Sequence, residues 1–315
     1  MVKKIKSPEY ISVVVPSYNE QDNVAILFEK VSEQLSGYDF EVIFVDDGSS
    51  DKTLENLIKL SHEYKSVKYL SFSRNFGHQA ALRAGLKAAK GSVVISMDAD
   101  LQHPPSLIPT LLSKWKEDKY EVVYTVRKDT AETGRMKRTT SSMFYRILNF
   151  FSGLKMEEGA ADFRLLDRKV VNVINAQQES DIFLRGYISW IGFKQIGVPY
   201  TPAKRFSGKS KYNFKRLISL AGKGVTQFSI KPLRFAHLLA VVAFLISFIY
   251  VLYAAAVAIS GHAIPGWLSL VVLFVFMQGV QFLLLGLIGE YLGRTFMQTK
   301  NRPEFIISKS SDDES

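Results

Sequence analysis

The stretch VVISMDADLQHPP, Val93 to Pro105, decides how the rest of the chain is read. An uncharged run of Val, Ile, Ser and Met predicts a buried strand over Ser92–Met97. It ends in two aspartates one residue apart, Asp98 and Asp100, followed by Pro104 and Pro105. In an extended segment residues i and i+2 point the same way. Asp98 and Asp100 therefore face a common ligand while Ala99 turns back into the fold. The prolines stop the strand and stiffen the turn beneath. Hard carboxylate oxygens suit Mg2+ or Mn2+, ions that commonly bridge to a substrate's phosphates.

The same strand signal recurs at Ile11–Val15, Glu41–Val45, Val67–Ser71 and Glu121–Thr125. Helical patterns fall between the strands at Asn23–Leu35, Thr53–Tyr64 and His78–Ala89. Apolar, β-branched strands alternating with helices predict an α/β fold with a mostly parallel sheet flanked by helices. Ligands of such sheets bind beyond the carboxyl ends of the strands. Here those ends read PSYNE, DDGSSD, FSRNFG and DADLQ. Asp46, Asp47, Asp98 and Asp100 then crowd one rim, where they repel one another unless a cation or sugar hydroxyls use them. Asp51, just before Thr53, reads instead as a helix cap.

The 315 residues include no cysteine, which excludes a disulfide framework and any thiolate metal site. From Phe235 to Gly289 there is no Asp, Glu, Lys or Arg, a span of 55 residues. Two transmembrane helices fill it, about 236–259 and 267–289, broken at SGHAIPG (Ser260–Gly266). Buried core helices of that length usually carry some charge, which disfavours the alternative. Lys231 and Arg234 precede the first span, Arg294, Lys300 and Arg302 follow the second, and the turn between has no basic residue. Both termini are therefore expected on the cytoplasmic face of the cell membrane. The start, MVKKIKSPEY, leads into a strand and not into a long apolar segment, so no cleavable signal peptide is read.

The net charge of +10 also has an address: residues 200–234 hold nine basic residues and no acidic one. Within them Phe214, Leu217, Ile218, Ala221, Val225 and Phe228 fall at helical spacing, the pattern of an amphipathic helix on an anionic membrane surface. A nucleic-acid patch is the rival reading of such a cluster. Its place just before a membrane span argues for lipid and against nucleic acid.

VVVPSYNE, VDDGSSD, SRNFG and DADLQHPP, continued by ADFRLLDR (Ala161–Arg168) and RFSGKSKY (Arg205–Tyr212), resemble the family 2 glycosyltransferases of GT-A fold. With the membrane hairpin added, the chain is similar to the polyprenyl-phosphate group that includes bactoprenol glucosyltransferases and dolichol-phosphate-mannose synthases. The resemblance covers roughly residues 8–300. It implies a catalytic domain over 1–203, an acceptor loop and juxtamembrane helices over 204–234, two membrane helices within 235–291 and a cytoplasmic tail over 292–315. Processive polysaccharide synthases carry Gln-x-x-Arg-Trp, which is absent here. A single sugar transfer is thus expected.

The same resemblance implies roles for individual residues. Pro16, Tyr18, Glu20, Asp46, Asp47 and Asp98 match the nucleotide-sugar pocket. Asp100 matches the main ligand of Mg2+ or Mn2+, with Asp98 and Gln102 beside it. Asp162 matches the position usually called the catalytic base, although it is also placed to orient the acceptor or the sugar. His103 stands where the family often has Asp and receives no role. Arg127, Arg205, Ser210 and Lys211 are the expected grip on a lipid phosphate. The implied activity is inverting transfer of one hexose, glucose from UDP-glucose, to undecaprenyl phosphate or a similar lipid. GDP-mannose or a UDP-amino sugar as donor stays open, as does a catalytically silent membrane scaffold of the same fold. A homo-oligomer, with a tetramer as the expected size, would pool the small membrane anchors.

Overall fold

In the computed structural model of the chain, the described residues are 10–127, 146, 149–154, 156–179, 182–201, 228–260 and 266–313. Four apolar strands form the centre: β1 (Ile11–Ser17), β2 (Phe40–Asp46), β3 (Val67–Phe72) and β4 (Val93–Ser96). β1 is buried at all seven positions, as a strand covered on both faces must be. Helices α1 (Val24–Gln34), α2 (Thr53–Glu63) and α3 (His78–Ala88) lie between these strands in the chain, and all three pairings, β1–β2, β2–β3 and β1–β4, are parallel. Asp51 does act at the start of α2, accepting the Thr53 N–H at 2.9 Å.

Further along come α4 (Ile108–Lys116), β5 (Val122–Arg127), β6 (Ala160–Asp167), α5 (Arg168–Ala176), α6 (Leu184–Trp190) and β7 (Gln195–Tyr200). The apolar helices α7 (Lys231–Ile259) and α8 (Trp267–Thr299) follow, and then β8 (Ile307–Ser310). The sheet order is β7-β5-β6-β4-β1-β2-β3-β8. It is a mixed sheet, parallel through its centre and antiparallel where β6 meets β4 and β5 and where β8 meets β3. β6 carries no long apolar run. It is a strand because Phe163 and Leu165 enter one core while Arg164 and Leu166, on the other face, are buried as well.

Two cores sandwich the sheet. Residues from α1, α2 and α4 pack with Ile11, Val13, Val15, Phe44 and Ile95 on one face. Residues from α3, α5 and α6 pack with Val14, Ile43, Val45 and Val94 on the other. α3 approaches β1 so closely that a Cβ on Gly85 would overlap the Val14 side chain.

Two details differ from the sequence reading. β4 ends at Ser96, so Asp98 and Asp100 sit in the turn after the strand. The prolines start a helix instead of stiffening a turn: Pro105 opens one 3-10 turn, Pro105–Leu107, that runs into α4. Proline suits a first helical turn because its missing N–H has no partner there anyway.

α7 and α8 contain the two expected spans and are long and apolar enough to cross a membrane, with mean hydropathy 2.6 and 2.4 and none of either apolar stretch buried. At about 1.5 Å per residue, the 33 residues of α8 extend about 50 Å, well beyond the roughly 30 Å of a bilayer's hydrocarbon. The helix runs ten residues past Gly289, through Glu290 and Arg294. The segment that follows adds β8 to the edge of the sheet beside β3. Arg205, Ser210, Lys211 and the amphipathic pattern from Phe214 to Val225 lie outside the described residues.

Candidate active site

The carboxyl ends of β1, β2 and β4 open on a cleft of about 560 Å³ lined by Pro16, Tyr18, Glu20, Asp47, Asp98 and Asp100, with Asn75, Gly77 and His78 on the β3–α3 side. Local backbone geometry shapes it. Gly48 has φ +67°, and a Cβ there would lie 2.5 Å from the Arg74 carbonyl carbon. Only glycine lets the β2 turn press against the β3–α3 loop in this conformation.

The two aspartates of DDGSSD do different work. Asp46 is buried and committed to structure: Oδ1 accepts the Ser49 N–H at 3.1 Å and Oδ2 the Ser71 hydroxyl at 2.8 Å. It does not line the cleft. Asp47 does, and it accepts the N–H groups of Phe76 (2.7 Å) and Gly77 (3.0 Å). Burial pushes the Asp47 carboxyl up, the two amides pull it down, and the charge of Asp46 adds to the rise. Tyr18 keeps 41% exposure over the cleft, open to stack on a flat ligand. Glu20 accepts from the Asn23 side chain at 2.5 Å.

Asp98 and Asp100 both reach the cleft, with Ala99 between them buried. The Asp98 N–H donates to His103 Nδ1 at 3.2 Å. His103 is buried, stacked on Phe163 at 5.4 Å and edge-on to Tyr200 at 5.9 Å, so it fixes the Asp98 turn from behind. Asp100 Oδ1 accepts the Gln102 N–H at 3.1 Å; the Gln102 side chain is not part of the cleft lining. Arg127 ends β5, exposed and opposite Tyr200, and is not among the lining residues of the cleft.

Among the described residues, no three or more His, Asp or Glu side chains gather into a self-sufficient metal cage. The donors nonetheless fit a cation that takes only part of its shell from protein. Asp98 Oδ1 is buried and makes no hydrogen bond among the described residues, with His78 Nε2 3.6 Å away as an ion-pair neighbour, and it shares the cleft with Asp100. Mg2+ is usually held in this way, by one or two carboxylates with phosphates and water completing the octahedron.

Asp162, on β6, is the most heavily engaged carboxylate of the site. Arg164 donates to Oδ1 at 2.8 Å and Arg185, from α6, to Oδ2 at 3.1 Å. His78, first residue of α3, places Nε2 3.7 Å from Asp162 Oδ2 and 3.6 Å from Asp98 Oδ1. Burial alone would raise the Asp162 carboxyl, but Arg185, His78 and Arg164 hold it well below the ordinary carboxylate range. For His78, burial opposes a charge, yet Asp162 and Asp98 outweigh it and push the imidazole up to about 9, with Arg185 working against them. Its side chain is enclosed by protein but still 42% exposed to the cleft, so solvent moderates these effects.

Sequence reasoning missed His78, Arg164 and Arg185. Arg164 was within reach, two residues from Asp162 and so on the same face of a strand. His78 directly follows the SRNFG rim motif. Arg185 carried no local signal, because its place beside Asp162 depends on the packing of α6.

Comparison with known proteins gives a consistent picture. The pattern "Glycosyl transferase family 2" matches residues 12–174, and "GtrB C-terminal hairpin" matches residues 231–295. The "Prophage bactoprenol glucosyl transferase homolog" of Escherichia coli K12 is 40% identical over 302 residues, 95% of this chain and 98% of that protein. The "Bactoprenol glucosyl transferase" of Shigella phage SfII is 40% identical over 303 residues, again 95% of this chain and 98% of that protein. The "Uncharacterized glycosyltransferase sll0501" of Synechocystis is 40% identical over 301 residues, covering 95% and 94%.

Proposed function

The chain belongs to glycosyl transferase family 2, and we propose that it moves one hexose, glucose from UDP-glucose, onto a polyprenyl phosphate such as undecaprenyl phosphate at a membrane surface. The single observation that carries the acceptor class is the state of Asp162. A carboxylate bound by Arg164 and Arg185 is a poor proton acceptor near neutrality. A sugar hydroxyl would need a base there. A lipid phosphate monoester does not, because its second pKa is near 6 and it arrives already dianionic. The hairpin of α7 and α8 and the names of the relatives support a lipid carrier.

A phosphate oxygen of the acceptor forms the new bond to the anomeric carbon as the bond from that carbon to the UDP oxygen breaks. Attack from the opposite face inverts the centre, and no proton has to leave. Tyr18, Glu20 and Asp47 receive the nucleoside, Tyr18 by stacking and the carboxylates by accepting from ribose or base. Asp100 and Asp98 would hold Mg2+ or Mn2+, which neutralises the leaving diphosphate when bound. Asp162 orients Arg185 and His78 toward the reacting groups. Arg127, Arg205, Ser210 and Lys211 grip the lipid phosphate, and the basic residues flanking the hairpin set the cleft on the cytoplasmic side.

The test is a transfer assay with the purified full chain, undecaprenyl phosphate and a panel of labelled nucleotide sugars. Label should enter lipid from UDP-glucose and stop with excess chelator. Label from GDP-mannose or a UDP-amino sugar alone overturns the donor. Equal transfer to unphosphorylated undecaprenol overturns the acceptor.

A further inference from the structure

We propose that the segment Glu304–Ser310, beyond the second apolar helix, is a positioning element of the donor cleft, latching the membrane hairpin to the loop and helix that form one cleft wall. This rests on the reading of the cleft as the donor site.

The segment docks over its whole length. β8 pairs antiparallel with β3 through Leu70 opposite Ser310, Ser71 opposite Lys309 and Phe72 opposite Ile307. The contact continues past the strand: the Ser73 N–H donates to the Ile306 carbonyl at 3.0 Å, and the Ser308 hydroxyl to the Ser71 carbonyl at 3.1 Å. Two side-chain routes lead from there to the cleft. In the first, Phe305 stacks on Phe72 at 5.1 Å, and Phe72 meets Phe76 edge-on at 5.7 Å. Phe76 and the next residue, Gly77, are those whose amides hold Asp47, and Gly77 itself lines the cleft. In the second, Glu304 Oε2 lies 3.0 Å from Arg83 Nη1. Arg83 is 2% exposed, sits on α3 five residues beyond His78, and also donates to the carbonyls of Glu179 and Gln177. A guanidinium this buried is costly without an acidic partner, and Glu304 supplies the carboxylate.

The connection is short. Seven residues separate Thr299, the end of α8, from Ile307, the start of β8. At no more than roughly 3.5 Å per residue they span about 25 Å. The sheet edge beside the cleft is thus tied to the helix that reaches the membrane. An edge strand also protects β3 from pairing with other chains. That protective role alone would affect stability and aggregation, not the geometry around Asp47.

The test uses the full chain with Phe305→Ala and, as the conservative control, Phe305→Tyr. Hydrogen exchange read by mass spectrometry should show Phe76 and Gly77 exchanging at least about 10-fold faster in Phe305→Ala, with β1 unchanged and Phe305→Tyr near wild type. Donor KM should rise about 5-fold or more while kcat at saturating donor stays within about 2-fold. Because the chain has no cysteine, Leu70→Cys with Ser310→Cys gives one oxidisable pair at neighbouring antiparallel positions, within disulfide reach. Oxidation should leave donor KM and turnover intact, since the docked tail is the working state. Unchanged exchange at Phe76 and Gly77 overturns the latch. Faster exchange with an unchanged donor KM overturns its role in positioning. Loss of turnover on oxidation, regained on reduction, shows that the tail must leave and overturns the docked working state. A wild-type chain that uses no nucleotide sugar overturns the functional reading instead, while the exchange experiment still decides the latch.

Discussion

Replacing Asp162 by Asn removes one negative charge and keeps the side chain's shape. In the wild type that charge is shared by Arg164, whose side chain is 4% exposed, and Arg185, 23% exposed. Removing one member of a buried ion pair costs about 3–5 kcal/mol, because the partner is left buried and uncompensated. The partial exposure of Arg185 and the open cleft favour the lower end, about 3 kcal/mol. For a folded unit of 150–250 residues, each kcal/mol lowers Tm by about 2–4 °C, so a fall of roughly 6–12 °C is expected. The pH dependence has a definite sign. The folded carboxyl lies below its ordinary value of 3.8, so its stabilisation is fully present above that value and is lost as pH falls through the folded pKa. The wild-type advantage over Asp162→Asn should therefore be fullest between about pH 5 and 6, shrink in stronger acid as Asp162 takes up a proton, and decline from about pH 6.5 toward 9 as His78, held protonated by Asp162, loses its proton. The measurements are thermal unfolding of the detergent-solubilised chain across pH and turnover at 20 °C, where both proteins are folded. With Asp162 as an organiser, the variant keeps a measurable rate and the same acidic limb near pH 6, which belongs to the acceptor phosphate. A variant as stable as wild type that binds UDP and lipid normally, yet has no turnover, would refute this reasoning and make Asp162 an obligatory base.

Three further outcomes follow from the same geometry. Asp100→Ala should cut turnover at least about 100-fold with the fold intact; full activity in the variant would remove the cation assignment. Lys211→Ala should raise the apparent KM for lipid while calorimetric UDP affinity stays nearly unchanged, and the reverse pattern would move RFSGKSKY to the donor side. Gly48→Ala forces a non-glycine residue to φ +67° against the Arg74 backbone. A loss of about 1–3 kcal/mol in urea unfolding, together with weaker UDP binding, is expected; an unperturbed variant would mean that the β2 turn and the β3–α3 loop are not locked together.

The sequence by itself determined whatever depends on periodicity and on neighbours along the chain. Apolar, β-branched runs identified β1 to β5, because strands covered on both faces are built mostly from such residues. Fifty-five residues without charge marked the hairpin, since a bilayer core excludes charge along a whole helix. The rim position of Asp47, Asp98 and Asp100 followed from their place at strand ends. Only the tertiary structure decided how these carboxylates divide their work. Asp46 and Asp47 are adjacent in sequence, yet one is spent on Ser49 and Ser71 and the other faces the cleft, because successive residues at a strand end point in opposite directions. β6, β7 and β8 stayed hidden because their strand character comes from pairing and not from a local apolar run. Arg185 meets Asp162, and Glu304 meets Arg83, across 23 and 221 residues of chain. Such meetings are set by how helices and an edge strand pack on the finished sheet, and no local pattern encodes that packing.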